Sequence, residues 1–485
     1  MQSQPDALAI QFQEQSYSWG FVARIAAELQ QLLETLSIAS SERVGFVAHT
    51  RPTHVATLWG LLIANRCPSM IYGFQPTEKL AADIRSLRYP LVIADQSDWN
   101  EITIQAAKDA GSAGISLSTN GLSLVAGLET AGAQACREVV NDAAVETLSS
   151  GTTGTPKRIL LSSQNLEASS IAAAQSIKQM SSGSAERVPL IVMFPLANIS
   201  GVYSTVPACL SSHPIVLMEK FSVEEWLSIV KRYRPVTADV PPTALTMLIN
   251  AGVTKEDLKS IKVIRSGAAP LDREVQRKFL EDFGIPINLS YGASEFCGVL
   301  TTWSMDELAR YSESKLGSCG RPLQGVSLRI IDSDKDSELE SNQIGLLEAK
   351  VDRMGPDWIR TSDLARIDED GFMWFIGRAD STIFRGGFKI SPEIVADALR
   401  QHPKIDDVAV IGEADARLGE TPVAFVQAID FHESLEDAEL KEFARTVLAA
   451  YQVPTRFVLV DELPRTPSMK LDLRALKLML SSTSI

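Results

Sequence analysis

Leu148-Ser149-Ser150-Gly151-Thr152-Thr153-Gly154-Thr155-Pro156-Lys157 gathers two glycines, five hydroxyl side chains and a lysine between apolar Val145 and Ile159-Leu160-Leu161. Glycine lets a backbone turn sharply and brings its N–H groups close to a ligand. Such N–H groups, with hydroxyl donors and a cation, form a surface for phosphate oxygens. The stretch lacks the Gly-x-x-x-x-Gly-Lys-Ser/Thr order of the common phosphate loop, because Pro156 and Lys157 follow Gly154-Thr155. A plain surface loop has the same composition. The rest of the chain must decide.

Further groups have chemistry to offer. Tyr291-Gly292-Ala293-Ser294-Glu295 combines a ring that can stack on a purine, small residues for close approach, and a carboxylate suited to Mg2+. Ser266-Gly267-Ala268-Ala269-Pro270-Leu271 follows the apolar run Lys262–Arg265, where small side chains let a flat base or acyl group lie against the backbone. Taken singly, each reads equally well as a tight turn at a strand end. Ile359-Arg360-Thr361-Ser362-Asp363-Leu364 and Gly377-Arg378-Ala379-Asp380 supply arginines and aspartates, as a nucleotide site or a surface ion-pair network would. Leu463–Asp472 carries Lys470 close to the end of the chain.

Elements must position these groups. Short apolar runs predict strands at Val44–Val47, Leu91–Ala94, Leu190–Phe194, Ile215–Met218, Thr237–Val240 and Lys262–Arg265. Helical spacing predicts helices at Phe21–Leu36, Pro76–Leu87, Val223–Tyr233 and Pro242–Ala251. That alternation points to α/β sheets with buried parallel strands, whose ligand loops gather at the carboxyl ends. From Val326 to about Phe375 the segments shorten and alternate, predicting an antiparallel β unit. Beyond it a compact α+β section is expected: helices Pro392–Gln401 and Leu435–Leu448, and strands Asp407–Ile411 and Val423–Gln427. The boundary is placed at Asp380, giving units 1–379 and 380–485. The Ser-rich Met180–Glu186 is expected to be a mobile loop.

In order and relative position, the motifs resemble those of the adenylate-forming superfamily: AMP-dependent acyl-CoA synthetases, peptide-synthetase adenylation domains and luciferases. Ser-Gly-Thr-Thr-Gly-Thr-Pro-Lys is similar to its phosphate loop, Tyr291–Glu295 to Tyr-Gly-x-Thr-Glu, and Ser266–Leu271 to Ser-Gly-Gly-Ala-Pro-Leu. Ile359–Leu364 resembles Arg-Thr-Gly-Asp-Leu, Gly377–Asp380 resembles Gly-Arg-x-Asp, and Leu463–Lys470 resembles Leu-Pro-Arg-Thr-x-Ser-Gly-Lys. The likeness runs from about Ser18 to Leu476. It implies a large N-terminal domain of two α/β subdomains plus a β-barrel-like unit, and a small mobile α+β C-terminal domain.

The resemblance also assigns roles. ATP or AMP would be held by Ser150, Gly151, Thr152, Thr153, Gly154, Thr155, Lys157, Gly267, Ala268, Ala269, Pro270, Tyr291, Gly292, Ala293 and Ser294. Asp363 would accept both ribose hydroxyls, Arg378 would add a ribose or phosphate contact, and Asp380 would be the hinge. Lys470, Lys157, Thr152 and Glu295 would be catalytic, with Glu295 and Thr152 on Mg2+. Asn198, Val240, Gly267, Gly292, Phe296 and Val299 would line the acyl pocket, with Pro241, Ala268 and Cys297 beside them. Arg385–Pro392 resembles the Gly-Gly-(aromatic)-Lys-Ile-Ser segment of CoA-forming members, so Gly386, Gly387 and Phe388 would meet CoA. Four residues depart from the pattern: Asn198 for His, and Arg158, Ser362 and Met469 each for Gly.

These roles imply a two-step ligase using ATP, Mg2+ and CoA. A carboxylate attacks the α-phosphate, pyrophosphate leaves, and the acyl-adenylate passes its acyl group to a thiol. Asn198 is neutral and cannot pair with a substrate ammonium, so an aromatic, alicyclic or medium-length fatty acid fits better than an α-amino acid. An enzyme loading a separate carrier protein is the alternative acceptor reading. A non-catalytic nucleotide-binding homologue is the alternative of another class.

Composition sets outer bounds. With 485 residues, 45% hydrophobic and 22% charged, the chain is a folded protein of several structural units. Its 46 Lys+Arg against 60 Asp+Glu give a net charge of −14, which disfavours nucleic acid and anionic membrane as partners. The apolar run Val55–Ala64 is too short to span a bilayer, and no secretory leader is recognised, so the expected location is the cytoplasm. Five scattered cysteines and five histidines show no zinc or disulfide spacing. A homodimer is compatible with the sequence, which does not fix oligomeric state.

Overall fold

The computed structural model describes residues 4–148, 158–181, 187–332, 335–386, 388–429, 435–466 and 469–482. The first α/β unit is a seven-stranded sheet in the order Gly121–Leu124, Ala113–Ser118, Leu91–Asp95, Arg43–Ala48, Cys67–Tyr72, Ala143–Leu148, Arg158–Ser162. Its five inner strands are parallel, and the two edge strands are antiparallel to their neighbours. From Arg43–Ala48 the chain steps to one side for Cys67–Tyr72 and to the other for Leu91–Asp95. That reversal opens a crevice at the carboxyl ends, where α/β sheets bind ligands.

The apolar run near Val55 is buried helix, not membrane span. Helix Pro52–Ile63 starts with proline at its first turn and buries residues on every face between sheet and neighbouring helices. Among the described residues no helix is long and apolar enough to cross a membrane. Side-chain caps fix other helix starts: Ser18 accepts from the Phe21 N–H, and Ser222 from the Glu225 N–H.

A second core surrounds the parallel strands Thr237–Asp239, Val263–Ser266 and Ile287–Leu289. The carboxyl ends of these strands are tied together. Ser266 Oγ donates to the Val240 carbonyl at 2.8 Å, and the Ser290 N–H donates to the Ser266 carbonyl at 2.9 Å. Pro242 then opens helix Pro242–Asn250 directly above them. The expected strand Leu190–Phe194 ends at Val192, because Pro195 begins the turn that leads into helix Ile199–Leu210. Met180 and Ser181, expected in a loop, complete helix Ser163–Ser181, and 182–186 lie outside the described residues.

Strands Val326–Ile331, Gly345–Val351, Ile359–Ile367 and Met373–Arg378 form an antiparallel meander. It shares one core with the three-stranded sheet that starts at Tyr291–Ala293. The α+β section has a central pair, Ile405–Asp415 and Gly419–Ala428, to which Arg456–Val460 adds in parallel. Asp380 lies in the 3-10 turn Ala379–Ser381, between the last strand of the meander and Ile383–Arg385, the first strand of the C-terminal sheet.

Arg158 proves to be structural. Its guanidinium reaches back across the sheet, donating to Ser69 Oγ at 2.8 Å and to Glu146 Oε2 at 3.2 Å. Glu146 is buried and also meets Arg43 at 3.2 Å. Burial alone would raise the Glu146 pKa, but hydrogen bonds from Ser69 and Tyr89 and the two guanidinium groups bring it below the usual range. A depressed carboxylate contributes stability above its unfolded pKa, lost as pH falls through the folded one. Arg158→Gly is therefore expected to cost about 2 kcal/mol at neutral pH, read by urea unfolding. Acid unfolding of that variant should also begin at higher pH.

Candidate active site

The site centres on a cross-strand pair. Asp363 and Arg378 are register partners on neighbouring antiparallel strands, so their side chains share one face. Arg378 NH1 lies 3.4 Å from Asp363 Oδ1, and its Nε and NH2 each donate to Asp380 at 2.9 Å. Arg378 NH2 also donates to Ser362 Oγ, a bond that the glycine of the motif could not accept. Three carboxylates, Asp380 first and then Asp363 and Glu295, raise the Arg378 pKa despite its partial burial.

Asp363 is buried and accepts a 2.5 Å hydrogen bond from the Tyr291 hydroxyl. Burial raises its pKa, and that hydrogen bond and Arg378 offset the rise only in part. The Tyr291 ring is buried too, stacked on Phe375 with centroids 6.3 Å apart. Its polar end thus orients the carboxylate while its apolar body belongs to the core. Glu295 is exposed on the 3-10 turn Ser294–Phe296, and its negative charge is felt at Tyr291, Asp363 and Arg378. An exposed carboxylate suits Mg2+, which takes few protein oxygens and completes its shell with phosphate and water.

Lys470 reaches this group from the C-terminal section. A tight turn presents it: the Thr466 N–H donates to the Lys470 carbonyl at 2.7 Å, and the Met469 N–H to the Thr466 carbonyl at 2.8 Å. Burial and the Arg378 charge lower the Lys470 pKa, and Asp363 opposes them. The structure therefore brings together Tyr291, Asp363, Arg378, Asp380, Glu295 and Lys470, which are far apart in sequence.

Ser150, Gly151, Thr152, Thr153, Gly154, Thr155 and Lys157 lie outside the described residues, as does Gly387. Strands Ala143–Leu148 and Arg158–Ser162, which flank the first group, are antiparallel partners with Leu148 opposite Arg158. Gly267, Ala268, Ala269 and Pro270 follow strand Val263–Ser266 and are at least partly exposed. Ala268, a further departure because the motif carries glycine there, has φ +67, in the left-handed region. A methyl on Gly292 would stand 2.4 Å from the Gly298 carbonyl oxygen, so only glycine fits there.

Of the expected acyl wall, Val299 is partly exposed and Gly292 exposed, whereas Val240 and Phe296 are fully buried in the cores. Asn198 accepts a hydrogen bond from the Tyr72 hydroxyl. Sequence reasoning missed Tyr72, and the available signal was its place at the carboxyl end of strand Cys67–Tyr72. Gly386 and Phe388 sit on the hairpin formed by Ile383–Arg385 and Phe388–Ile390, where the exposed Phe388 ring stacks on Tyr451 at 4.4 Å.

All five cysteines are free. Cys297 follows the Glu295 turn with φ +51, and burial raises its thiol pKa. Burial likewise pushes Cys67, Cys209 and Cys319 up to about 12. Among the described residues no group of three or more His, Cys, Asp or Glu side chains is arranged to hold a metal ion.

The AMP-binding enzyme model matches residues 1–351, and the model of the AMP-binding enzyme C-terminal domain matches 395–470. The chain belongs to the AMP-binding enzyme family. Within this AMP-binding enzyme family, a 2-succinylbenzoate–CoA ligase of Bacillus pumilus is 26% identical over 98% of this chain and 95% of its own. One from Bacillus licheniformis is 30% identical over 68% of this chain and 69% of its own. An O-succinylbenzoate coenzyme A synthetase from Bacillus subtilis, solved with ATP and magnesium ion, superposes with a TM-score of 0.79 at 23% identity, covering 98% of each chain.

Proposed function

We infer that this AMP-binding enzyme joins a carboxylic acid to CoA through an acyl-adenylate. The observation that carries the reading is the Asp363–Arg378 pair, fixed by Tyr291 and within electrostatic range of Lys470. Two anions must meet in the first step, the acid and ATP, so positioned cations lower the barrier most. The carboxylate oxygen attacks the α-phosphorus and pyrophosphate departs. Lys470 bridges the attacking carboxylate and the α-phosphate, and Lys157 and Thr152 hold the phosphates in line. Asp363, fixed by Tyr291, accepts from the ribose hydroxyls, and Arg378 supports it. Glu295 would hold Mg2+, which would supply charge neutralisation at the phosphates.

In the second step the CoA sulfur attacks the acyl carbon, the thiol proton is lost, and AMP leaves. We assign Gly386, Gly387 and Phe388 to the CoA side, and Asp380 to the hinge between units 1–379 and 380–485. Five free thiols suit a reducing compartment, so we place the enzyme in the cytoplasm. The acid panel begins with aryl acids, because the relatives are named for 2-succinylbenzoate and 4-coumarate.

The test is pyrophosphate release over that panel, with ATP and Mg2+, with and without CoA. Turnover sustained only with CoA, with acyl-CoA seen by mass, is the expected result. Release unaffected by CoA would favour a carrier-protein acceptor. Silence across the panel despite ATP binding would favour a non-catalytic homologue.

A further inference from the structure

Met469 occupies the position before Lys470 with φ +61, a conformation that side-chain-bearing residues disfavour. What surrounds it accounts for its presence. The Met469 side chain packs against the core around Thr237–Asp239 and helix Pro242–Asn250, in the other unit of the chain. Its carbonyl accepts from Thr243 Oγ1 at 3.0 Å and from Arg465 NH1 at 3.2 Å. The same Arg465 nitrogen donates to Thr243 Oγ1 at 3.1 Å, and Arg465 NH2 is held by Asp407 at 2.5 Å. At the far end of the helix, Asn250 Nδ2 donates to Asp406 Oδ1 at 2.9 Å.

The C-terminal section therefore grips one helix near both ends, at points about 10 Å apart along its axis. One grip is apolar and immediately precedes Lys470. We propose that Met469, with Arg465 and Thr243, is a positioning clamp: it fixes Lys470 over the nucleotide site and favours acyl-adenylate formation over thiol transfer. The proposal rests on the ligase reading above. Glycine at 469 would relax the backbone but lose the anchor. Lysine would then sample many placements, and entropy would be lost again at each turnover.

The experiment compares wild type with Met469→Gly and Met469→Leu. Single-turnover pyrophosphate release reports the first step. CoA added to preformed acyl-adenylate reports the second. Met469→Gly should slow the first step about tenfold, leave the KM for ATP within about twofold and not slow the second. Met469→Leu, which keeps the apolar anchor, should recover most of the first step. Limited proteolysis gives a readout independent of activity: cleavage near residues 379–382 should be faster in the glycine variant and not in the leucine variant.

Equal loss in both steps, or a glycine variant as fast as wild type in the first, would overturn the clamp. A wild type silent with every acid would overturn the ligase reading instead. Proteolysis alone would then decide the clamp, with unchanged cleavage counting against it.

Discussion

Lys470→Ala is expected to lower pyrophosphate release by about 10²–10³-fold while leaving ATP affinity, read by calorimetry, nearly unchanged. The asymmetry follows from the charge balance. On the proposed reading ATP is held by many groups, whereas the charge that develops between carboxylate and α-phosphate is met by Lys470, whose own charge is felt by Arg378 and Asp363. The reaction needs the ammonium form, and the Lys470 pKa is lowered by burial and by Arg378. Activity should accordingly fall as pH rises through that lowered value. Lys470→Arg should lack this alkaline limb, because a guanidinium stays protonated. Pyrophosphate release at the wild-type rate in the alanine variant would remove Lys470 from the mechanism.

Asp363→Asn should reduce kcat/KM for ATP by about 10²-fold or more, the effect of weakening two hydrogen bonds to a charged acceptor at about 1.5–3 kcal/mol each. The shape is preserved and only the charge is lost, so the fold should survive. A second signature separates this from a general defect. Asp363 opposes the lowering of the Lys470 pKa, and without its charge that lysine loses its proton more readily. The alkaline limb should therefore move to lower pH in Asp363→Asn. An unmoved limb would mean that the two side chains do not share one electrostatic site.

Much of this arrangement was legible in the residues. Helix Val223–Tyr233 falls where its apolar spacing put it, because Ser222 caps one end and a left-handed Arg234 stops the other. The candidate acids Glu295 and Asp363 and the candidate Lys470 were singled out from order and spacing. Their mutual contacts were not, because Asp363 and Arg378 meet through strand register, which no local pattern encodes. The four departures had the same blind spot. Arg158, Ser362, Asn198 and Met469 looked like losses from a motif, yet each has a specific partner elsewhere in the fold: Glu146, Arg378, Tyr72 and Thr243. Burial also could not be read from residue type. Phe296 and Val240 suit an acyl wall chemically, and the fold buries both completely.

The buried Cys297 carries a consequence for the chemistry around it. An acyl-adenylate is an electrophile that any nearby thiolate would attack, and this enzyme has a sulfur of its own two residues from Glu295. Exclusion from water keeps that sulfur protonated and therefore a poor nucleophile. On the proposed mechanism, such a sulfur is a poor acceptor of the acyl group. The sulfur that takes the acyl group must arrive from solution.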